Sequence, residues 1–309
     1  MKENGKRGFW YELKKNKILF IMLIPATVFF VVNDYIPIVG IYYAFTKYSF
    51  TGGLFGSKFV GMDNFAFLFR SNTLFTITKN TILYNLVFIF LGNILEIVVA
   101  VFLSRLVGNA FRKITQTLIF LPYFVSFVIL NVLVYNLFNY EFGFINTLLK
   151  TLQMPVVDFY NTPGLWPFLI TAFYLWKWVG YGTVIYLATI LGISEDYYEA
   201  SEIDGATTFQ QIRYITLPLL KPTFIILLLF AIGSIMHGQF ELFYQMVGNN
   251  GNLFSTTDII DTYVYRTLVD NFDINMGTAA GLYQSVFGFI IIMVTNYLIK
   301  RRNPDYALF

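Results

Sequence analysis

The chain has 309 residues, of which 57% are hydrophobic, 20% aromatic and 13% charged, and it contains no cysteine. This composition predicts an integral membrane protein and excludes disulfides, thiolate metal sites and cysteine nucleophiles. The formal net charge of +3 gives no reason to expect nucleic acid as a partner, because the basic residues gather at the flanks of apolar segments.

Six apolar segments are long enough to cross a hydrocarbon core of about 30 Å at about 1.5 Å per residue. We therefore predict an all-α integral membrane protein in which residues 1–309 form one transmembrane domain. A polar tail at 1–17 precedes the first helix, and a polar loop at 192–221 separates the fourth helix from the fifth. The six predicted transmembrane helices are 18–44, 81–104, 114–138, 165–191, 222–247 and 278–299.

Lysine and arginine residues lie mainly on one side of these segments, and in membrane proteins that excess marks the cytoplasmic side. Fourteen lie in the tail, in the loops after the second and fourth segments, and at the C terminus, whereas six lie in the opposite loops. Both termini and the loop 192–221 are therefore predicted to be cytoplasmic.

Two stretches follow the start of the first predicted helix: NDYIPIVGIYYAFTKYSF at 33–50 and GSKFVGMDNFAFLF at 56–69. They combine a helix ending in Tyr-Ile-Pro, an Ala-Phe pair and the pattern Val-Gly-x-x-Asn-Phe. This combination resembles the start of maltose-permease-like ABC permeases for carbohydrate uptake. It is most similar to the LplB-like subgroup, which handles oligosaccharides and polysaccharides.

Ionisable side chains inside membrane segments cost about 2.5–3.5 kcal/mol or more, so each needs a reason. Lys177 lies in the fourth predicted helix between Trp176 and Trp178, and Glu96 lies in the second. Lys177 either faces a cavity, as a donor beside two aromatic platforms for sugar rings, or forms an ion pair with Glu96. The sequence leaves both alternatives open.

The loop 192–221 has the pattern of two short amphipathic helices. Ser194 has the side chain of an N-cap for the first helix, and Gly205 supplies its stop. Thr208 and Gln211 have the spacing of a capping box for the second helix, which Leu217-Pro218 is expected to end. An ordinary amphipathic loop is the alternative interpretation.

The same loop resembles the EAA motif of binding-protein-dependent ABC importer permeases. That motif reads Glu-Ala-Ala, three residues, Gly, nine residues, Ile, one residue, Leu-Pro, and here Ser201 replaces the second alanine. In that family the motif forms cytoplasmic coupling helices that dock on the ATPase subunit, so we call residues 192–221 the coupling loop. The resemblance implies that its contact residues are Glu199, Ala200, Ser201, Asp204, Gly205, Ala206, Ile215, Leu217 and Pro218.

Polar and aromatic side chains gather late in the fifth predicted helix, where positions 237, 241 and 244 share one helical face. Amide, acid and aromatic groups together suit the hydroxyls and apolar ring faces of a sugar. A helix–helix hydrogen bond is the alternative role for His237. The predicted pathway residues are His237, Gln239, Phe240, Glu241, Tyr244, Lys177, Trp176, Trp178 and Gln284, with Asn131 and Asn136 as weaker candidates.

The resemblance implies a type I importer permease of a bacterial plasma membrane that moves a carbohydrate by alternating access. It implies four kinds of contact: a second homologous permease in a heterodimer, a dimer of ATP-binding subunits, an extracellular sugar-binding lipoprotein and membrane lipid. The chain has no GxxxxGK[ST] motif. ATP and Mg²⁺ are therefore expected on the partner ATPase, and no catalytic residue, metal or cofactor is expected on this chain.

A permease for an amino acid, phosphate or similar solute is the alternative within ABC transport, because the EAA-like loop is common to all of them. A stand-alone transporter or channel would not need a docking loop. An intramembrane enzyme would need a clustered catalytic set. The chain has one histidine, no cysteine, and neither HExxH nor GxSxG, which argues against that class.

Overall fold

Apolar helices make up most of the chain. A computed structural model describes residues 9–302. The remainder of the predicted tail, with Lys2, Lys6 and Arg7, and residues 303–309 lie outside the described residues. Within the described range, five helical stretches have the length and hydropathy to cross a membrane, and one bent helix pair would make a sixth. The number of spans and their orientation remain predictions. The five stretches are Lys17–Phe45, Thr73–Ser104, Pro163–Leu191, Thr208–Gly233 and Ile274–Arg301.

The first stretch extends away from the other helices. It consists of α1 (Phe9–Lys15), α2 (Lys17–Phe30), a π-helical turn at Val31–Tyr35 and a 3-10 segment at Ile36–Phe45. Nearly every side chain from α2 to position 42 is exposed. The 3-10 segment lies against the long helix at the C-terminal end of the chain. The apolar surface of α2 therefore faces lipid or a partner.

A small subdomain follows, with β1 (Thr46–Lys47), α3 (Gly53–Gly56), β2 (Lys58–Phe59) and α4 (Asp63–Arg70). The two strands are antiparallel, and Thr46 lies opposite Phe59.

The Val-Gly-x-x-Asn-Phe pattern holds this subdomain together. Gly61 has a φ of +62°, a backbone conformation that glycine adopts at little cost. The Asn64 side chain donates to the carbonyls of Ala44 at 2.8 Å and Thr46 at 3.0 Å. Phe65 is buried against Phe45, with ring centroids 5.5 Å apart. The pattern found in the sequence therefore joins the end of the first helical stretch to the β1–β2 pair.

The remaining chain is a series of helices joined by short turns. The turns include 3-10 segments at Leu121–Phe124, Phe159–Asn161, Pro163–Leu165 and Gly251–Leu253, and π-helical turns at Ile212–Thr216 and Arg266–Asp270. The helices are α5 (Thr73–Ser104), α6 (Asn109–Phe120), α7 (Phe127–Phe138), α8 (Phe144–Thr151), α9 (Trp166–Leu191), α10 (Glu195–Ile203), α11 (Thr208–Gln211), α12 (Leu217–Gly233), α13 (Phe240–Val247), α14 (Phe254–Thr257), α15 (Ile260–Tyr265) and α16 (Ile274–Arg302).

The segment predicted as one helix at 114–138 is broken. α6 and α7 meet at 91°, with a 3-10 turn between them that contains Pro122. Proline has no backbone N–H and interrupts the α-helical hydrogen bonds. Ser126 then caps α7, because its Oγ accepts a hydrogen bond from the backbone N–H of Ile129 at 3.3 Å.

The helices α5 and α9 pack along each other through the centre of the molecule. The Phe88 ring stacks on Tyr174 with centroids 3.8 Å apart, and the Tyr186 hydroxyl donates to Asn93 Oδ1 at 2.6 Å. Glu96 occupies the space left by the missing side chain of Gly182. This pair is the frame on which the other helices are arranged.

Gly180 of α9 lies directly against the backbone of the last turn of α6. A methyl group on Gly180 would overlap the backbone carbonyl of Ile119, and backbone atoms have little room to retreat. We expect Gly180→Ala to destabilise the protein by about 1–3 kcal/mol through overpacking, measured as a lower melting temperature in detergent. Gly164→Ala is the control, because the space around Gly164 is open. Equal melting temperatures for the two variants would contradict this packing.

Candidate functional site

The first helix of the coupling loop, α10, begins and ends as its sequence predicts. The Ser194 Oγ accepts a hydrogen bond from the backbone N–H of Asp196 at 3.4 Å. Gly205 has a φ of +74°, in the left-handed region that favours glycine. The next residue, Ala206, donates its backbone N–H to the carbonyl of Ser201 at 2.9 Å. Gly205 therefore closes α10 and turns the chain towards α11.

The capping box of α11 lies one residue earlier than predicted. Thr207 is the N-cap, with extended backbone angles of φ −72° and ψ 158°. Its backbone N–H donates to Gln210 Oε1 at 2.7 Å, and the Gln210 N–H donates to Thr207 Oγ1 at 3.4 Å. The predicted pair of Thr208 and Gln211 is wrong, because Thr208 is already helical. The Gln211 side chain is thus free for another role, and it is buried.

Leu217-Pro218 does not end the second helix of the coupling loop. The chain continues from α11 through the π-helical turn Ile212–Thr216 directly into α12, with Pro218 in the first turn of α12. Proline has no backbone N–H with which to continue the α-helical hydrogen bonds. The wide turn before it absorbs the change of hydrogen-bond register.

The coupling loop exposes large apolar side chains that nothing in the described chain covers. Ile203 is 87% exposed, Phe209 69% and Tyr197 59%. Of the motif residues, Glu199 and Ala200 are also exposed. Apolar groups gathered on a surface indicate an interaction site, so this loop has the surface of a docking element.

A second candidate site lies where the predicted helix 222–247 is interrupted. α12 ends at Gly233 and α13 begins at Phe240, and we call residues 234–239 between them the unwound segment. The predicted single helix is wrong. Positions 237, 241 and 244 therefore do not share one helical face, because His237 lies in the break.

Side chains from three other helices satisfy the backbone of the unwound segment. Asn85 of α5 donates to the carbonyls of Ile235 at 3.0 Å and His237 at 3.1 Å. Gln284 of α16 donates to the carbonyl of Met236 at 2.7 Å. Asp261 of α15 accepts the backbone N–H of Gly238 at 2.6 Å. Such partners are required where a helix opens inside a membrane.

His237 lies beside this network with more than half of its side chain exposed. Its Nδ1 is 3.8 Å from Asp261 Oδ1, an ion pair when the imidazole is protonated. The carboxylate of Asp261 thus contacts both the side chain of His237 and the backbone of the next residue. The structure favours a polar contact for His237 over the predicted helical face.

Aromatic rings form a cluster at the start of α13. Phe240 stacks on Tyr244 with centroids 5.3 Å apart, and both contact Tyr265 of α15, at 4.9 and 5.0 Å. Glu241 is exposed beside them. We call Phe240, Tyr244 and Tyr265 the aromatic triad. It combines apolar ring faces with hydroxyl groups, which is the chemistry that sugar recognition requires.

An ion pair between Arg266 and Asp258 supports the helix that carries Asp261 and Tyr265. Arg266 Nη2 donates to the buried carboxylate of Asp258 at 2.6 Å, and its guanidinium lies 4.0 Å from the centre of the Phe254 ring. α15 is therefore held rigidly next to the unwound segment.

Lys177 takes neither of the two roles predicted for it. It is 5% exposed, and its Nζ donates to the carbonyls of Tyr123 and Val125 at the bend between α6 and α7. Among the described residues the charged pairs are His237 with Asp261 and Arg266 with Asp258, so the pair with Glu96 is not formed. Lys177 instead satisfies carbonyls that the broken helix leaves free.

Trp176 and Trp178 do not flank a common cavity, because residues two apart on a helix point to nearly opposite sides. Trp176 lies with Leu133 and Phe173 along an apolar groove. Trp178 packs between Tyr123 and Tyr181, and its buried indole N–H has no partner among the described residues.

The other predicted polar residues are bonded to other groups of the protein or lie at a helix start. Gln284 is 5% exposed and is occupied by the unwound segment. Asn131 donates to Gln245 Oε1 at 3.2 Å, and Asn136 donates to the carbonyl of Val132 on its own helix at 2.7 Å. Gln239 is the N-cap residue of α13.

The family follows from comparison with known proteins. Residues 89–304 match the family described as binding-protein-dependent transport system inner membrane component. The chain belongs to this family. The permease is 32% identical over 302 residues to protein LplB of Bacillus subtilis strain 168, covering 97% of this chain and 94% of LplB. It is 32% identical over 304 residues to the polygalacturonan/rhamnogalacturonan transport system permease protein YteP of the same organism, covering 98% and 94%.

A solved structure has the same fold as this permease. One chain from the crystal structure of a bacterial ABC transporter involved in the import of the acidic polysaccharide alginate superposes with a TM-score of 0.86. The two chains are 29% identical, and the superposition covers 95% of this chain and 99% of that one. The predicted ABC importer permease fold and the resemblance to the LplB-like subgroup are confirmed. The permease is a multi-pass membrane protein, and ATP hydrolysis belongs to a separate subunit.

Sequence reasoning missed three residues that shape the second site of this permease: Asn85, Asp261 and Tyr265. Asn85 and Asp261 are ordinary polar residues of α5 and α15, and only the fold brings them to the unwound segment. A polar side chain on a predicted apolar helix was the available signal for Asn85.

Proposed function

We propose that this permease is one transmembrane subunit of an ABC importer that takes up an oligosaccharide. The relatives named above include a permease for polygalacturonan and rhamnogalacturonan and a transporter for alginate. A further relative, 27% identical over 299 residues, is the arabinooligosaccharides transport system permease protein AraP of Bacillus subtilis. These relatives favour a sugar polymer fragment over an amino acid or phosphate.

The observation that carries the proposal is the aromatic triad beside the unwound segment. The triad offers ring faces and hydroxyls, and Glu241, Gln239 and His237 add hydrogen-bonding groups within a few residues. A discontinuous helix inside the membrane marks substrate sites in many transporters. In the proposed pathway Trp178 supplies an aromatic ring, and Lys177 and Gln284 hold neighbouring backbone segments in place, whereas Trp176 lies on the opposite side of α9.

We also propose partners and a membrane orientation for this permease. The coupling loop docks on a dimer of ATP-binding subunits, which use ATP and Mg²⁺, through the motif residues from Glu199 to Pro218. A second permease forms a heterodimer with this one, and an extracellular sugar-binding lipoprotein delivers substrate. Both termini are cytoplasmic. The exposed apolar surface of α2 supports a place for the second permease or for lipid.

Reconstitution in proteoliposomes tests the substrate class. The permease is assembled with its partner permease, its ATPase and its binding protein, and ATP hydrolysis is measured with different solutes outside. We expect stimulation by oligosaccharides such as fragments of pectin or alginate and none by amino acids or phosphate. The reverse pattern would overturn the carbohydrate assignment.

Tyr244→Ala should lower oligosaccharide uptake about twofold to twelvefold, since aromatic contacts contribute roughly 0.5–1.5 kcal/mol beyond burial. The measurement is initial uptake in the same proteoliposomes, with co-purification of the partners as a check on assembly. Tyr297→Ala is the matched control, because Tyr297 is 64% exposed on α16. Unchanged uptake by the Tyr244 variant would remove the aromatic triad from the pathway.

A further inference from the structure

A buried amide lies where the two helices of the coupling loop meet the cytoplasmic end of α5. Gln211 is 3% exposed. Its Oε1 accepts a hydrogen bond from Arg105 Nη1 at 2.9 Å, and its Nε2 donates to Ser201 Oγ at 3.0 Å and Glu202 Oε1 at 3.4 Å. The orientation of the amide is fixed by chemistry, because a guanidinium only donates and a carboxylate only accepts. One side chain thus joins α5, α10 and α11.

Arg105 makes a second connection to the same loop. Its guanidinium lies over the Tyr198 ring, 5.0 Å from the centroid. The Tyr198 hydroxyl is 3.0 Å from Thr216 Oγ1, and Thr216 is buried at the end of the π-helical turn. Tyr198 therefore ties α10 to the start of α12, while Arg105 ties both to α5.

Without these contacts the coupling loop would be flexible at one position. α10 and α11 are joined through Gly205, a residue with no side chain, whose Cβ position has open space around it. The two helices would turn against each other at Gly205 when force is applied to the loop. Part of the movement of a docked partner would then be lost within the loop.

We propose that Arg105, Tyr198, Ser201, Gln211 and Thr216 form a coupling lock, which makes both coupling helices and the cytoplasmic end of α5 move as one body. The proposal rests on the proposed function of the loop as the docking element for the ATPase. These are positioning residues, since they act through the exposed helices. The lock also gives a role to Ser201, the one departure from the EAA pattern. An alanine there has no oxygen to accept the Gln211 amide.

The absence of native cysteine allows the lock to be tested by spin labelling of the full chain in its assembled complex. Labels are placed at Val107→Cys, which is 93% exposed after α5, and at Thr208→Cys, exposed on α11. Pulsed EPR then measures the distance between them without nucleotide and in an ATP-trapped state. We expect one narrow distance that is the same in both states.

Gln211→Met removes the hydrogen bonds of the Gln211 amide while keeping a side chain of similar volume. We expect a broadened distance distribution and about tenfold less substrate transported per ATP hydrolysed. The free energy of a hydrogen bond to a charged group corresponds to about a tenfold change in an equilibrium constant. The ATPase should still co-purify. Gln210→Met is the control, because Gln210 closes only the local capping box, and it should change the transport ratio by less than about twofold.

Exchanging the acid and the amide between positions 202 and 211 distinguishes loss of the coupling lock from a general loss of stability. Gln211→Glu keeps the acceptor for Arg105 but loses both donors, and it places a second carboxylate beside Glu202. Adding Glu202→Gln restores a donor across that pair, and we expect recovery of at least half of the transport ratio. If the double variant does not recover, the proposal that the Gln211 hydrogen bonds hold the coupling lock together is overturned.

The proposal is also overturned if Gln211→Met has the distance distribution and transport ratio of the wild type. The docking function fails in a different way, through failure of the ATPase to co-purify with the wild-type permease. In that case the distance, measured on the permease with its partner permease, still reports whether the coupling helices and α5 are held together.

Discussion

Gly205→Val should lower transport at least tenfold while the permease still assembles with its partners. The backbone of Gly205 is in the left-handed region, at φ +74°, where an ordinary L residue costs about 1–2 kcal/mol and a β-branched residue more. The space around it is open, so the loss comes from the backbone and not from a steric clash. The coupling helices would then meet the ATPase at a different angle. Uptake and ATP hydrolysis, measured together in proteoliposomes, report the resulting uncoupling.

Gly205→Asn is the matched control for this result. Asparagine enters the left-handed region more readily than other non-glycine residues, so this variant should retain most of the transport. Equal activity of the valine and asparagine variants would show that the turn at Gly205 has no part in coupling.

The second large effect is expected at Asn85, whose amide serves two carbonyls of the unwound segment. Asn85→Leu has a similar shape but leaves the carbonyls of Ile235 and His237 without their donor in a buried place. Each buried polar group without a partner costs about 1–3 kcal/mol, so we expect a loss of transport of at least tenfold and a lower melting temperature. Uptake in proteoliposomes and thermal unfolding in detergent measure the two effects.

Asn136→Leu provides the comparison. Asn136 is exposed on α7 and bonds only to a carbonyl of its own helix, so its replacement should leave both transport and melting temperature near the wild type. If the Asn85 and Asn136 variants behave alike, the unwound segment does not depend on Asn85.

The parts of this fold that follow from local sequence were predictable. The N-cap at Ser194 and the stop at Gly205 depend on residues next to one another, and the fourth apolar segment, predicted at 165–191, is close to the bounds of α9. The EAA spacing identified the family from one loop of the chain. In each case the side chains that decide the structure are near the structure they decide.

The interruptions of the helices could not be predicted in the same way. Residues 234–239 contain no proline, and the signals that open this helix are Asn85, Asp261 and Gln284, which are distant in sequence. The role of Lys177 likewise depends on the carbonyls of a bend on another helix. Its charge was visible in the sequence, but its partners were not. The capping box was misplaced by one residue because Thr207 and Thr208 are both suitable N-caps, and this error concealed Gln211.

The partners of the unwound segment also constrain the order in which this protein is made. Asp261 and Gln284 follow residues 234–239 in the chain, so the segment reaches the membrane before two of its three supporting side chains arrive there. The segment therefore reaches its final shape only after α15 and α16 have been synthesised and packed. Opening of the helix is a late step of biogenesis, and a chain truncated before α15 would have to keep this region closed or expose its backbone to lipid.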